Sequence, residues 1–250
     1  MILLLDAGNT RVKWATWKDG RWLARGAFQS NHVKELSAAL ANGRPDWVGI
    51  SCVAGEAVRS GLVEAFAAAG LDPYWLQPAS AGHGVVNRYR KPETLGADRY
   101  AIAIATFRRG FVPCVAVGVG TAVTIDAIAG DGEFLGGMIL PSVALMRYAL
   151  AVGTAALNNA EGSWRPFPRT TEDGIETGAW TAIAAAAVSM RVRLAVELGR
   201  DVGVVVTGGD SSRLVAHLRD IGYDGELHVG ENLVLEGLLW VARDLGVVGA

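Results

Sequence analysis

Met1-Ile2-Leu3-Leu4-Leu5-Asp6-Ala7-Gly8-Asn9-Thr10 opens the chain as an apolar run that stops at an acidic residue and a glycine turn. Beyond the turn Val12, Trp14 and Thr16 alternate with Arg11, Lys13 and Ala15. Period-two alternation marks a half-buried strand, so the segment reads as a β-hairpin. Val115-Ala116-Val117-Gly118-Val119-Gly120-Thr121-Ala122-Val123 repeats the arrangement, followed by Ile125 and a strand-like stretch through Ile128. The copies lie 112 positions apart (118 − 6), far beyond a solenoid period and close to half of the 250 residues. Two related α/β lobes are the economical reading. Arg108-Arg109-Gly110 is the boundary, giving an N-terminal lobe over 1–109 and a C-terminal lobe over 110–250 whose closing helix can pack back on the first.

Between the copies, Ser30 or Asn31 is placed to cap a helix carrying Val33, Leu36 and Leu40, and Trp47 to Val53 reads as a buried strand. Leu62, Val63 and Phe66 mark a second helix, and Leu95 to Phe107 a third. In the second half, Phe134 to Leu140 is predicted as a strand broken by Pro141; Ser142 then opens a helix with Leu145, Met146 and Leu150, and Asn158 to Pro168 is a loop. Thr171-Glu172-Asp173 supplies a helix start and Trp180 to Leu198 an alanine-rich helix. Val202 to Val206 is a strand, Thr207-Gly208-Gly209-Asp210 a turn, and Ser211 to Leu218 and Leu233 to Leu239 are helices.

With 51% hydrophobic and 19% charged residues the chain buries enough apolar surface to fold, which excludes disorder. Its formal charge of −2 and the absence of any Lys/Arg run longer than two residues argue against a nucleic-acid binder. Met1 to Leu5 is too short for the apolar core of an export signal. The most apolar stretch, Phe111 to Gly130, carries Pro113, Asp126 and several glycines, so no membrane span is predicted and the cytoplasm is the expected compartment. Cys52 and Cys114 lie in apolar runs without CxxC spacing and read as reduced core thiols, while the four histidines show no ligand spacing for zinc.

Glycine turns at strand ends gather backbone N–H groups toward one point and let an anion approach closely. One such turn is more often a plain hairpin. Two, each carrying a threonine, favour phosphate binding. No GxxxxGK[ST] loop is present, and Val123 occupies the place of the third glycine of a dinucleotide fingerprint. What remains is a nucleotide held between two lobes, one hairpin from each on its phosphates, with Asp6 suited to Mg²⁺ directly or through water.

Further stretches narrow this. Tyr89-Arg90-Lys91-Pro92-Glu93-Thr94-Leu95-Gly96-Ala97-Asp98-Arg99 follows the first hairpin, and Gly120-Thr121-Ala122-Val123-Thr124-Ile125-Asp126 forms the second. Gly136-Gly137 through Pro141, Thr171 with Ile175 and Gly178, Thr207 to Asp210 and Asn232 to Leu238 come next in order. On these residues nearly the whole chain resembles the type III pantothenate kinases, a family within the acetate kinase, sugar kinase, heat-shock ATPase and actin superfamily. The resemblance implies a duplicated actin-like (ribonuclease H-like) α/β fold of two lobes, with mixed sheets flanked by helices. It also implies ATP-dependent phosphorylation of pantothenate to 4′-phosphopantothenate, the first committed step toward coenzyme A, by a homodimer.

Carried over residue by residue, ATP is assigned to Asp6, Gly8, Asn9, Thr10, Arg11, Val12, Lys13, Gly120, Thr121, Ala122, Gly208 and Gly209, with Mg²⁺ at Asp6. Pantothenate is assigned to Tyr89, Gly96, Ala97, Asp98, Arg99 and Thr171, with Asp98 as the base that accepts the hydroxyl proton and Thr171 able to act from the partner subunit. Read without the motif, Asp98 and Arg99 simply open a helix, Thr171 is an ordinary N-cap and Lys13 a solvated strand residue. The family also implies potassium or ammonium, bound through an aspartate that usually begins the second phosphate motif. This chain has Gly118 there, so either the requirement is absent or another group, such as Asp126, fills the role. Another small-molecule kinase of the superfamily and a non-catalytic nucleotide-binding regulator are the alternatives.

Overall fold

A computed structural model describes residues 1–41, 43–155, 157 and 159–249; position 158, where the polar loop was expected to begin, lies outside them. Two compact units emerge: Met1–Arg109 with Asn232–Ala250, and Gly110–Glu231.

The first unit begins with a meander of β1 (Ile2–Ala7), β2 (Arg11–Lys18) and β3 (Arg21–Gln29), followed by the short α1 (Leu36–Leu40), β4 (Trp47–Cys52), α2 (Glu56–Ala68) and β5 (Tyr74–Trp75). A small hairpin of β6 (Ala81–Gly82) and β7 (Val85–Asn87) leads to α3 (Ala97–Arg108). The sheet runs β3-β2-β1-β4-β5, with β2 antiparallel and β4 parallel to β1.

The second unit repeats this plan with β8 (Cys114–Val119), β9 (Ala122–Ile128), β10 (Glu133–Pro141), α4 (Val143–Gly153), α5 (Thr171–Leu198), β11 (Gly203–Gly208), α6 (Ser211–Asp220) and β12 (Leu227–Val229). Its strands run β10-β9-β8-β11-β12, again an antiparallel meander whose first strand then gains a parallel neighbour. The duplication seen in two glycine turns therefore extends to whole sheets. The last helix, α7 (Leu233–Asp244), belongs to the first unit.

Burial explains the sequence patterns. In β1, Leu3, Leu5 and Ala7 pack toward Leu62 and Phe66 of α2, while the opposite face carries Ile2 and Leu4 and is covered by α7. A strand enclosed on both faces must be apolar throughout, hence the unbroken Ile-Leu-Leu-Leu run before Asp6. Helices α3 and α7 cross closely: a Cβ on Gly237 would lie 2.1 Å from the Ala101 carbonyl oxygen, so only glycine fits there. In the second unit Trp180, Ile183, Ala187 and Leu194 of α5 join Val115, Val117, Val123 and Ile125 of the sheet in one core.

Several local expectations need correction. Ser30 does not cap a helix; its Oγ donates to the Gly8 carbonyl at 2.7 Å, and the turn after β3 enters a 3-10 segment at Val33 instead. The third helix starts at Ala97, because Pro92–Thr94 forms a 3-10 turn and Leu95 is extended. Thr170, not Thr171, caps α5, accepting from the Asp173 N–H at 3.2 Å. Strand β3 went unread, its alternation diluted by Arg, Gly and Ala. Phe111 to Gly130 forms strands, as expected, and among the described helices α5 is long and apolar enough to cross a membrane, yet here it forms one wall of a protein core.

Candidate functional site

The first unit gathers its chemistry at the C-terminal ends of β1 and β4. Asp6 is the penultimate residue of β1, paired across the ladder with Lys13 of β2 on one side and Ser51 of β4 on the other. Parallel strands covered by helices present such an edge to ligands. The hairpin beyond Asp6 is braced internally: the Gly8 N–H donates to the Arg11 carbonyl at 3.0 Å, and the Ser30 N–H donates to the Thr10 carbonyl at 3.0 Å. Val53 and Ala54 both donate to the Ala7 carbonyl. Asn9, Thr10 and Arg11 are exposed on this braced turn, whereas the Val12 side chain is fully buried and has only backbone to offer a ligand.

Asp98 comes to the same place from the first turn of α3. Its Oδ1 accepts from the Arg99 N–H at 2.8 Å and lies over Gly96, 2.5 Å from where a Cβ would stand. Burial raises the Asp98 pKa, opposed by the Arg99 N–H and the Arg99 charge. Burial likewise pushes Asp6 up to about 6; Lys13 pulls it down and the Asp98 charge adds to the rise. Of these two half-buried carboxylates from separate elements, Asp6 thus feels the charge of Asp98. Ala97 is buried beside them.

Arg99 is 4% exposed and donates through Nη1 to the Tyr89 hydroxyl at 2.8 Å, so the two residues expected to contact one substrate are joined. The Ser51 hydroxyl, fully buried next to Asp6, has no hydrogen-bond partner among the described residues. No cluster of three or more His, Cys, Asp or Glu side chains converges among the described residues. A cation at Asp6 would therefore draw most of its ligands from water and a bound phosphate. That suits Mg²⁺, which keeps several waters and takes one or two carboxylates.

The second unit holds the other residues singled out by sequence. Gly118 and Val119 end β8, and the Gly120 N–H donates to the Ala122 carbonyl at 3.1 Å, leaving Gly120, Thr121 and Ala122 exposed on a tight turn. Gly208 ends β11 alongside Val119 with φ +109°, and a Cβ there would lie 2.2 Å from the Val119 carbonyl oxygen. A side chain is excluded twice, by torsion and by contact. Gly209 follows, exposed, just before α6. Thr207, Gly118 and Thr124 lie side by side across β11, β8 and β9, on the face opposite the Val117 and Val206 core, with Asp126 two residues further along β9.

Thr171 stands apart from that row, in the first turn of α5, where it lines an open groove of about 400 Å³ with Met146, Leu150, Gly174, Ile175 and Gly178. Sequence reasoning missed Glu176, one turn further on. It is 2% exposed and accepts from Trp180 Nε1 at 3.0 Å and Arg213 Nη2 at 2.6 Å, with Arg147 Nη1 at 3.5 Å. A glutamate inside an alanine-rich apolar helix was the available signal, since buried charges are found paired. Asn87, also missed, is 5% exposed and bonded to the Tyr89 segment.

Comparison with known proteins follows the same lines. A family model described as type III pantothenate kinase matches residues 2–193. A type III pantothenate kinase from Thiobacillus denitrificans is 42% identical over 241 residues, covering 96% of each chain. One from Laribacter hongkongensis is 39% identical over 250 residues, covering 97% of this chain and 99% of its own. Among solved structures, a candidate 2-dehydro-3-deoxygalactonokinase from Sinorhizobium meliloti aligns over 99% of this chain and 100% of its own with a TM-score of 0.61 at 14% identity. That likeness concerns the fold, which is the duplicated actin-like α/β fold of such kinases. Identity near 40% along almost the full length carries the assignment further: the chain belongs to the type III pantothenate kinase family.

Proposed function

We propose that this chain transfers the γ-phosphoryl group of ATP to the primary alcohol of pantothenate, giving 4′-phosphopantothenate and ADP, with Asp98 as the base. The observation that supports these roles is the meeting of Asp6 and Asp98, one from the end of β1 and one from the start of α3. Phosphoryl transfer asks a protein for positioning and charge stabilisation more than for covalent chemistry. Arg99 and Tyr89 orient the alcohol beside Asp98. The hydroxyl oxygen forms the new bond to the γ-phosphorus as the bridge to the β-phosphate breaks, and the hydroxyl proton passes to the Asp98 carboxylate. A pKa raised by burial makes Asp98 a stronger base.

In the first unit the turn at 8–10 and Lys13 offer backbone groups and a charge to a phosphate; in the second the turn at 120–122 offers backbone groups of its own, and Gly208-Gly209 leaves room for a nucleoside. The amides of Gly8 and Gly120 are spent inside their turns, so they shape the cradle instead of donating to it. Asp6 would hold Mg²⁺, directly or through water, and that ion when bound offsets charge on the phosphate oxygens. No monovalent cation is assigned: the place of the expected aspartate is Gly118, whose ladder partners are the neutral Thr124 and Thr207, and Asp126 lies further along the strand. A cytoplasmic homodimer completes the reading, on the free thiols of Cys52 and Cys114 and the exposed apolar Val192 and Val196 of α5. Incubation with ATP, Mg²⁺ and a panel of alcohols, followed by a coupled ADP assay, tests it. Turnover with a sugar and none with pantothenate would reject it, and ATP binding without turnover on any alcohol would favour a regulator.

A further inference from the structure

Asn87 ends β7 with 5% of its surface exposed, and both ends of its side-chain amide are used. Nδ2 donates to the Pro92 carbonyl at 3.1 Å, and Oδ1 accepts from the Tyr89 N–H at 3.0 Å. The Pro92 carbonyl also accepts from the Leu95 N–H at 3.2 Å, closing the 3-10 turn that leads into Gly96. One planar amide therefore spans residues 88–91, gripping the leg that presents Tyr89 and the leg that runs into Gly96 to Arg99. Its orientation is fixed by its partners, because a flipped amide would set oxygen against carbonyl and N–H against N–H. Asn87 is itself anchored, its own N–H donating to the Ser80 carbonyl at 2.9 Å.

The clamp matters through what Tyr89 holds. The Tyr89 hydroxyl accepts from Arg99 Nη1 at 2.8 Å, and Arg99, 4% exposed, has little room to follow a displaced ring. We propose that Asn87 is a positioning residue for the acceptor alcohol, fixing the Tyr89 hydroxyl against the Arg99 guanidinium so that pantothenate meets a preformed pair. This rests on the reading that Tyr89 and Arg99 bind pantothenate. Without the amide both legs lose their common anchor, and ordering them again falls to the incoming substrate.

Steady-state kinetics of the purified full chain test this. Asn87→Ala is expected to raise the pantothenate KM about tenfold, the loss of two modest hydrogen bonds, with the ATP KM unchanged and kcat within about twofold. Asn87→Ser keeps a short acceptor for the Tyr89 N–H but loses the donor to Pro92, and its expected rise is smaller, about threefold. A role in folding alone would lower kcat by shrinking the active fraction and leave both KM values in place, and that result overturns the proposal. Tyr89→Phe tests the underlying reading: a parent-like pantothenate KM there removes the reading and the proposal together. A raised KM in Tyr89→Phe with a parent-like KM in Asn87→Ala overturns the proposal alone. In Asn87→Ala/Tyr89→Phe the two effects are expected to fall short of additive, since both act through one hydroxyl, and full additivity counts against the proposal. Should Asn87→Ala fail to fold, Asn87→Ser decides on the same criterion.

Discussion

Replacing Asp6 by asparagine is expected to stabilise the ligand-free protein at neutral pH while removing its Mg²⁺-dependent turnover. The Asp6 pKa stands at about 6 in the fold against an ordinary 3.8, chiefly because its carboxylate is taken out of water, with Asp98 repelling it. A raised pKa means the folded state holds the proton more tightly than the unfolded chain. The stabilising contribution of that proton is complete below about pH 3.8 and is lost as pH rises through about 6, so above pH 6 the ionised Asp6 opposes folding. At about 1.4 kcal/mol per pK unit the two-unit rise amounts to about 3 kcal/mol, which solvent at the half-buried side chain trims to about 2. For a chain of this size that corresponds to a melting temperature higher by roughly 4–8 °C. Thermal melts of parent and Asp6→Asn at pH 7.5 and pH 4, without nucleotide, measure it. The gain should be full at pH 7.5 and nearly absent at pH 4, and Mg²⁺ with ATP should raise the parent's melting temperature more than the variant's. An asparagine variant that melts no higher than the parent at pH 7.5, or gains as much at pH 4, would refute the electrostatic reasoning.

Asp98→Asn should preserve folding and ATP binding and lower kcat by about 10² to 10⁴, the usual loss for a general base; near-parent turnover would remove Asp98 from that role. Gly208→Ala should destabilise the second unit by roughly 2–5 kcal/mol in urea unfolding, because the new methyl must sit at positive φ against the Val119 backbone. Exchanging potassium for tetramethylammonium should leave turnover and ATP affinity of the parent unchanged, while Gly118→Asp should acquire a response to potassium. A saturable potassium requirement in the parent would show that other groups hold the ion.

What could be read in advance was whatever depends on local pattern. Strands β1, β2, β8, β9 and β11 announce themselves by apolar runs or alternation, and glycine at 208 is demanded by its own torsion and a neighbouring strand. Strand β3 was hidden, because its partner β2 supplies the pairing while its own side chains stay largely exposed. The motif from Tyr89 to Arg99 pointed to the substrate segment, but the Tyr89–Arg99 bond joins residues ten apart and the Asp6–Asp98 encounter residues ninety-two apart. Spacing along a chain carries no information about such meetings. Asn87 escaped for the opposite reason, since it looks like an ordinary polar residue until its burial is known, whereas Glu176 was betrayed only by its apolar helical surroundings.

The placement of α7 has a consequence for how the molecule is made. The first unit is interrupted by the whole of the second and finished only by a helix whose Gly237 lies on the Ala101 backbone. On the ribosome, α3 therefore waits with its α7-facing side uncovered for more than a hundred residues of further synthesis, while Gly110–Glu231 is contiguous and free to mature first. A nascent polypeptide stalled before Leu233 would carry an unfinished N-terminal half, the kind of species that chaperones retain and proteases remove.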